Sequence, residues 1–210
     1  MENTAAMPAP HGHGEPAHAA HPPTATGLST WKLGFWIFMG SETLFFGTLI
    51  STYMVYKHES VTGPFPTDLL DIPLTSVSTF VLLMSSLAMV IALDGFQRND
   101  RRMGLGGLMG VIILGAGFLG FQAYEFTHFY HEGLTLQTNL FGSSFFVLTG
   151  FHGAHVTIGV IWLLILWIES FRGRFAVTNE HALKVEIAGL YWHFVDIVWI
   201  AIFTLIYLIE

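Results

Sequence analysis

The chain of 210 residues contains no cysteine, which excludes a disulfide framework, thiolate metal sites, iron–sulfur clusters and a cysteine nucleophile. Charge is scarce: Asp, Glu, Lys and Arg make up 11% of residues, against about 25% in an ordinary soluble domain. Cations are the scarcest of all. With 8 Lys and Arg against 15 Asp and Glu and a formal charge of -7, there is no basic surface of the kind that binds nucleic acid. Residues 1–30 hold no apolar run that would make a signal peptide. No internal repeat of the inverted-repeat transporter type is visible.

What the chain has instead is apolar length. Hydrophobic residues make up 52% and aromatics 15%, and mean hydropathy is +0.57. Windows long enough to cross a hydrocarbon core of about 30 Å occur five times, at residues 33–56, 74–96, 103–126, 141–168 and 185–209. Each must be helical, because lipid offers backbone N–H and C=O groups no partner. The expected fold is therefore all-α, a polytopic bundle of five transmembrane helices over residues 31–210, preceded by a disordered His/Pro/Ala-rich tail over residues 1–30. The tail's His11, His13, His18 and His21 could hold a metal only by ordering a flexible segment, so no site is placed there.

The cations divide unevenly between the two sides. One side carries Lys32, Arg98, Arg101, Arg102, Arg172, Arg174 and Lys184, and the other only Lys57. By the positive-inside rule the N-terminus is cytoplasmic and the C-terminal Glu210 lies outside. The third span reads GLGGLMGVIILGAGFLG, and Gly106 and Gly110, followed by Gly115, Gly117 and Gly120, suggest a face for close helix approach.

Ionisable groups inside a span cost roughly 2.5–3.5 kcal/mol each and call for a partner or a purpose. At 1.5 Å rise per residue, Glu42 lies about 14 Å into the first span. His152 and His155 fall about 16–21 Å along the fourth, and His193 and Asp196 about 12–16 Å into the fifth, on one stripe with Glu186. His152, His155, His193 and Asp196 thus form an expected buried polar layer. It either bonds internally to lock the helices or handles protons or lipid. A second cluster, Gln122, Glu125 and His128, falls at the outer end of the third span, where headgroups and water would solvate it. Arg172 and Arg174 sit at the cytoplasmic end of the fourth span as candidates for lipid phosphate.

Two metal readings follow from the histidines alone. His152 or His155 could face His193 and ligate a haem. A di-iron membrane desaturase would need clustered histidine boxes, and the chain offers only HxxH at His128/His131 and His152/His155.

The motifs SETLFFGTLISTY (41–53), QAYEF (122–126), GSSFFVLTGFHGAHVTIG (142–159) and YWHFVDIVWIAIFTLIYL (191–208) resemble subunit III of the haem–copper terminal oxidases, from about Gly34 to the C-terminus. The resemblance implies a non-catalytic subunit of a proton-pumping oxygen reductase in the bacterial inner membrane. It implies direct contact with subunit I, the company of subunit II and further small subunits, and cytochrome c as donor to the complex. Haems and copper would lie in those partners, with no metal and no catalytic residue on this chain but bound phospholipid beside it. The family role is to support proton uptake, hold lipid and protect the core subunit during turnover. Glu42 matches the family's intramembrane carboxylate, which reacts with carbodiimide, a reagent for the protonated form that desolvation favours.

Longer members have seven spans, and this match begins at their third, so the lipid-filled cleft built by the first pair must be absent or lined by another subunit. The alternatives are subunit III of a quinol oxidase, an independent haem-binding membrane anchor, or a small transporter built around Glu42 and Asp196.

Overall fold

The computed structural model describes residues 30–57, 71–172 and 179–209. The N-terminal tail and Arg174 lie outside them. Five helices follow one another: α1 (Thr30–Tyr56), α2 (Ile72–Gln97), α3 (Arg101–His131), α4 (Leu140–Phe171) and α5 (Asn179–Phe203), the last running into a π-helical turn at Thr204–Leu208. All five are long and apolar enough to cross a membrane, so the chain is a multi-pass membrane protein. Helix α3 runs five residues past the expected hydrocarbon boundary at 126. Of these five residues Phe129 alone is buried, and it carries the buried face of the helix one turn further.

The helix starts are written in the local sequence. Asp71 caps α2 by accepting from the Leu74 amide, with a proline in the first turn. Asp100 accepts from the amides of Arg102 and Met103 to begin α3, and Asn139 accepts from Gly142 to begin α4. Between α2 and α3, Asn99 takes φ 61°, a left-handed conformation that Asn tolerates better than most residues. The turn is closed by backbone bonds from Asp100 to the Gly95 carbonyl.

Helices α2, α3, α4 and α5 pack in a ring in that order, closed by α5 against α2, and α1 lies outside it in the groove between α4 and α5. Lys32 meets Glu186 at 2.7 Å at one end, and the Lys57 ammonium donates to the Ile209 carbonyl at the other, so α1 and α5 run parallel. Only Met39, Phe46 and Tyr53 of α1 are buried, a single heptad stripe. The ring core centres on Trp192, which is fully buried. A Cβ at Gly115 would lie 2.6 Å from its ring and one at Gly159 2.9 Å, so these two glycines on α3 and α4 form its seat.

Of the glycines expected to form a close-approach face on α3, Gly115 does so, against Trp192, and the others do not. Nothing lies within 4 Å of a Cβ placed on Gly106 or Gly120, and Gly110 and Gly117 make only ordinary contacts. The close approach to α2 runs instead through Gly104 and Gly107: a Cβ on Gly107 would stand 2.6 Å from the Ala92 backbone, and one on Gly95 2.5 Å from the Gly104 nitrogen. The spacing of small residues was visible in the sequence, but which of several overlapping registers faces α2 is set by the tight Arg98–Asp100 turn.

Candidate functional site

The polar residues inside the bundle fall into three groups rather than one layer. The first joins α1 to α4. His155 on α4 places Nε2 3.2 Å from a carboxylate oxygen of Glu42 on α1, and its Nδ1 lies 2.7 Å from the Phe151 carbonyl one turn back. Phe46 closes edge-on over the imidazole at 4.9 Å, and the Tyr191 hydroxyl donates to the His155 carbonyl at 3.0 Å. Both partners keep some exposure, with 19% of the Glu42 side chain and 15% of the His155 side chain accessible. The pair can exchange a proton between its members and with whatever faces that side of α1.

The second group lies between α2 and α5. His193 Nδ1 meets the Ser86 hydroxyl at 2.6 Å, Trp192 Nε1 donates to Ser85 at 2.9 Å and Trp199 Nε1 to Thr79 at 3.0 Å. Asp196 is buried among them, and Ser86 is near enough to bear on it. Yet neither carboxylate oxygen completes a hydrogen bond. A buried group without a partner costs about 1–3 kcal/mol. Asp196→Leu is therefore expected to raise the stability of the bundle by about 1–2 kcal/mol in unfolding titrations in mild detergent, with Asp196→Ala controlling for volume. A loss of stability in both would show that the carboxyl holds the helices together.

His152 stands apart from both. Its ring is fully buried, stacked 4.9 Å from Trp199 and set edge-on to Phe118 at 5.9 Å, with both nitrogens unpartnered. Of the two alternatives for the polar layer, direct bonding is not seen, since none of His152, His155, His193 and Asp196 bonds another of the four. At 3.6 residues per turn, His152 and His155 diverge enough for one to face the ring core and the other α1. The haem reading does not fit this geometry. His155 is engaged by Glu42 and His193 by Ser86, and aromatic rings occupy the space a porphyrin on His152 would need.

The third group corrects the expected solvated cluster on α3. Gln122 and Glu125 are buried, each 7% exposed. Gln122 donates to the Thr149 carbonyl at 2.7 Å and fills the space left by Gly153, where a Cβ would come within 2.5 Å of its amide oxygen. Glu125 accepts from Thr75 on α2 at 2.9 Å and from Tyr207 in the π-helical turn at 2.8 Å, and so ties three elements together. Only His128 is exposed. Position along a helix is legible in a sequence, but depth in a membrane and burial in a bundle are different coordinates.

Several partners were not singled out from the sequence. Thr75, Thr79 and Ser86 recur along α2 at spacings of four and seven that share a helix face, with Ser85 on the flank beside them, a hydroxyl stripe in an otherwise apolar span that was there to be found. Arg101 donates through Nη2 to the carbonyls of Ser170 and Phe171 at 2.9 and 2.8 Å, satisfying the last turn of α4. Arg172 is exposed at the C-terminal cap of α4. Among the described residues no group of three or more His, Asp or Glu side chains is placed to hold a metal ion.

The sequence matches the family model of cytochrome c oxidase subunit III over residues 17–210. It is 44% identical over 184 residues to quinol oxidase subunit 3 of Bacillus subtilis, covering 84% of this chain and 85% of the relative. It is 41% identical over 180 residues to cytochrome c oxidase subunit 3 of the same organism, with 84% of each covered. Cytochrome c oxidase subunit 3 of Alkalihalophilus pseudofirmus is 39% identical over 193 residues, 90% of this chain and 92% of the relative. Five spanning helices, an intramembrane Glu–His pair and this extent of similarity lead to one assignment: the chain belongs to the cytochrome c oxidase subunit III family.

Proposed function

We propose that this chain serves as the non-catalytic subunit III of a proton-pumping terminal oxidase in a bacterial inner membrane, seated directly on subunit I, with subunit II and small subunits in the same complex. The observation that carries the reading is the Glu42–His155 pair at 3.2 Å between two spans. It gives a non-redox chain a group that can hold and pass a proton where subunit I would take one up. The haems and copper belong to the partner subunits, and phospholipid headgroups meet the cationic end at Arg172 and Arg174. That end, which also carries Lys32, Arg98, Arg101 and Arg102, is the cytoplasmic one in this reading. The donor is cytochrome c. Quinol is the second reading, favoured by the 44% identity to a quinol oxidase subunit.

The test is purification of the complex through a tag on this chain in mild detergent, followed by an optical difference spectrum. Haem and copper that co-purify with a large many-span subunit, and stay with it when this chain is stripped away, uphold the reading. A colourless solitary chain overturns it. Oxidation of cytochrome c or of quinol by the same preparation separates the two donors.

Carbodiimide labelling checks the pair itself. Glu42 keeps more access than the buried Glu125 or Asp196, so a lipid-soluble carbodiimide is expected to modify Glu42 first, and mass spectrometry of the digested chain should place the adduct there. Labelling spread evenly over all the acids, or unchanged in Glu42→Gln, would contradict it.

A further inference from the structure

Helix α1 lies against α5 on one side and α2 meets it on the other, so a strip of α5 between them is left facing outward. It is formed by Leu190, His193, Ile197 and Ile200, the first two half-buried and the isoleucines exposed. Steps of three, four and three residues keep these side chains on one narrow stripe, about 15 Å long at 1.5 Å per residue. Apolar residues at that spacing make the seam through which one helix packs on another.

The histidine within the strip is out of place among them. Its Nδ1 is tied to the Ser86 hydroxyl at 2.6 Å, which fixes the ring. Its Nε2 has no partner among the described residues, and it is not sealed inside the bundle as the unpartnered atoms of His152 and Asp196 are. It therefore opens onto the strip. His193 follows Leu183, the first residue of its span, by about 15 Å of rise, which is the middle of a hydrocarbon core of about 30 Å. Lipid headgroups, glycerol esters and bulk water all lie far from that depth. A polar atom turned toward hydrocarbon without a partner is costly. Whatever satisfies it has to carry a polar atom to mid-membrane, and a transmembrane helix does so on a side chain.

We infer that the α5 strip from Leu190 to Ile200 is a docking seam for a transmembrane helix of another subunit, registered by a hydrogen bond between His193 Nε2 and a hydroxyl, amide or carboxyl side chain on that helix. The isoleucines supply close packing. The single polar contact sets how far along α5 the partner sits, as one polar residue sets register in a coiled coil. A partner that slid by one turn would leave the nitrogen unpaired in hydrocarbon. The inference rests on the reading that the chain works within an oxidase complex, and adds which face meets a partner and through which atom.

The experiment uses the complex purified through a tag on this chain, with a benzophenone side chain in place of Ile197. Irradiation is expected to join position 197 to a transmembrane peptide of another subunit, and mass spectrometry to find a hydroxyl, amide or carboxyl residue within one turn of the adduct. Without the label, His193→Leu should lower the fraction of complexes that keep this chain on dilution in mild detergent by about three- to tenfold, the value of one interhelical hydrogen bond. Ser86→Ala removes the tie within the chain but leaves the imidazole, and should keep that fraction near the wild-type value. Adducts on acyl chains or on a quinone alone, or on a peptide with no polar side chain within a turn, would overturn the seam while the subunit III reading stands. So would equal losses in His193→Leu and Ser86→Ala, because the effect would then arise inside the bundle. A chain that purifies alone overturns both the seam and that reading.

Discussion

Replacing Trp192 with alanine is expected to destabilise the bundle by about 3–5 kcal/mol, the usual cost of emptying a fully buried tryptophan site. The ring rests on Gly115 of α3 and Gly159 of α4 and donates its Nε1 hydrogen to Ser85 of α2, so this one side chain of α5 touches all three other helices of the ring. Glycine seats cannot collapse onto the void, because they have no side chains to move into it. The loss should also reach the neighbouring residue. With Trp192 gone the 2.6 Å contact between His193 and Ser86 loses the packing beside it, and the register of α5 rests on Trp199 and Tyr207. Trp192→Phe, which keeps most of the volume but not the donor, should cost far less, about 1 kcal/mol for the bond and some packing. Unfolding titrations in mild detergent, with the yield of assembled complex, would read both. A cost below about 1 kcal/mol for the alanine variant would mean that the seat closes after all.

Gly107→Leu should be comparably severe, with a loss of about 3 kcal/mol or more. Its Cβ alone would stand 2.6 Å from the Ala92 backbone. Backbone cannot rotate away as a side chain can, so α2 and α3 must separate along their whole contact. That separation would pull Thr75 from Glu125 at the far end of the same helix pair. Gly106→Leu, one position along and facing open space, is the matched control and should leave the unfolding transition unmoved. Equal effects from the two substitutions would show that helix propensity, rather than close approach, governs this segment, since leucine is the better helix former at either site.

The number of spans, their approximate limits and the family motifs were legible in the sequence because each depends on runs of residue types. Twenty apolar residues in lipid have no alternative to a helix. The candidate site was legible only in its membership. Glu42 and His155 both stood out as ionisable residues at mid-membrane, but their pairing joins positions 113 residues apart. That pairing depends on α1 lying in the groove between α4 and α5. His152, three residues from His155 and equally conspicuous, turns to Trp199 instead. Glu125 was assigned to the solvated end by its place along α3, and it is buried because Tyr207 and Thr75 converge on it from other elements.

By itself the sequence determined that this protein is an all-helical membrane chain of the oxidase subunit III family, and which residues carry ionisable groups into the lipid. Composition and hydropathy act along the chain, and the bilayer reads them one helix at a time. Only the tertiary structure decided which glycines touch, which acids are paired, and that Asp196 is left without a hydrogen bond. These depend on the rotation of each helix about its axis. In a bilayer, where the hydrophobic effect does not drive one apolar helix face against another, that rotation is set by close packing and a few polar contacts between helices.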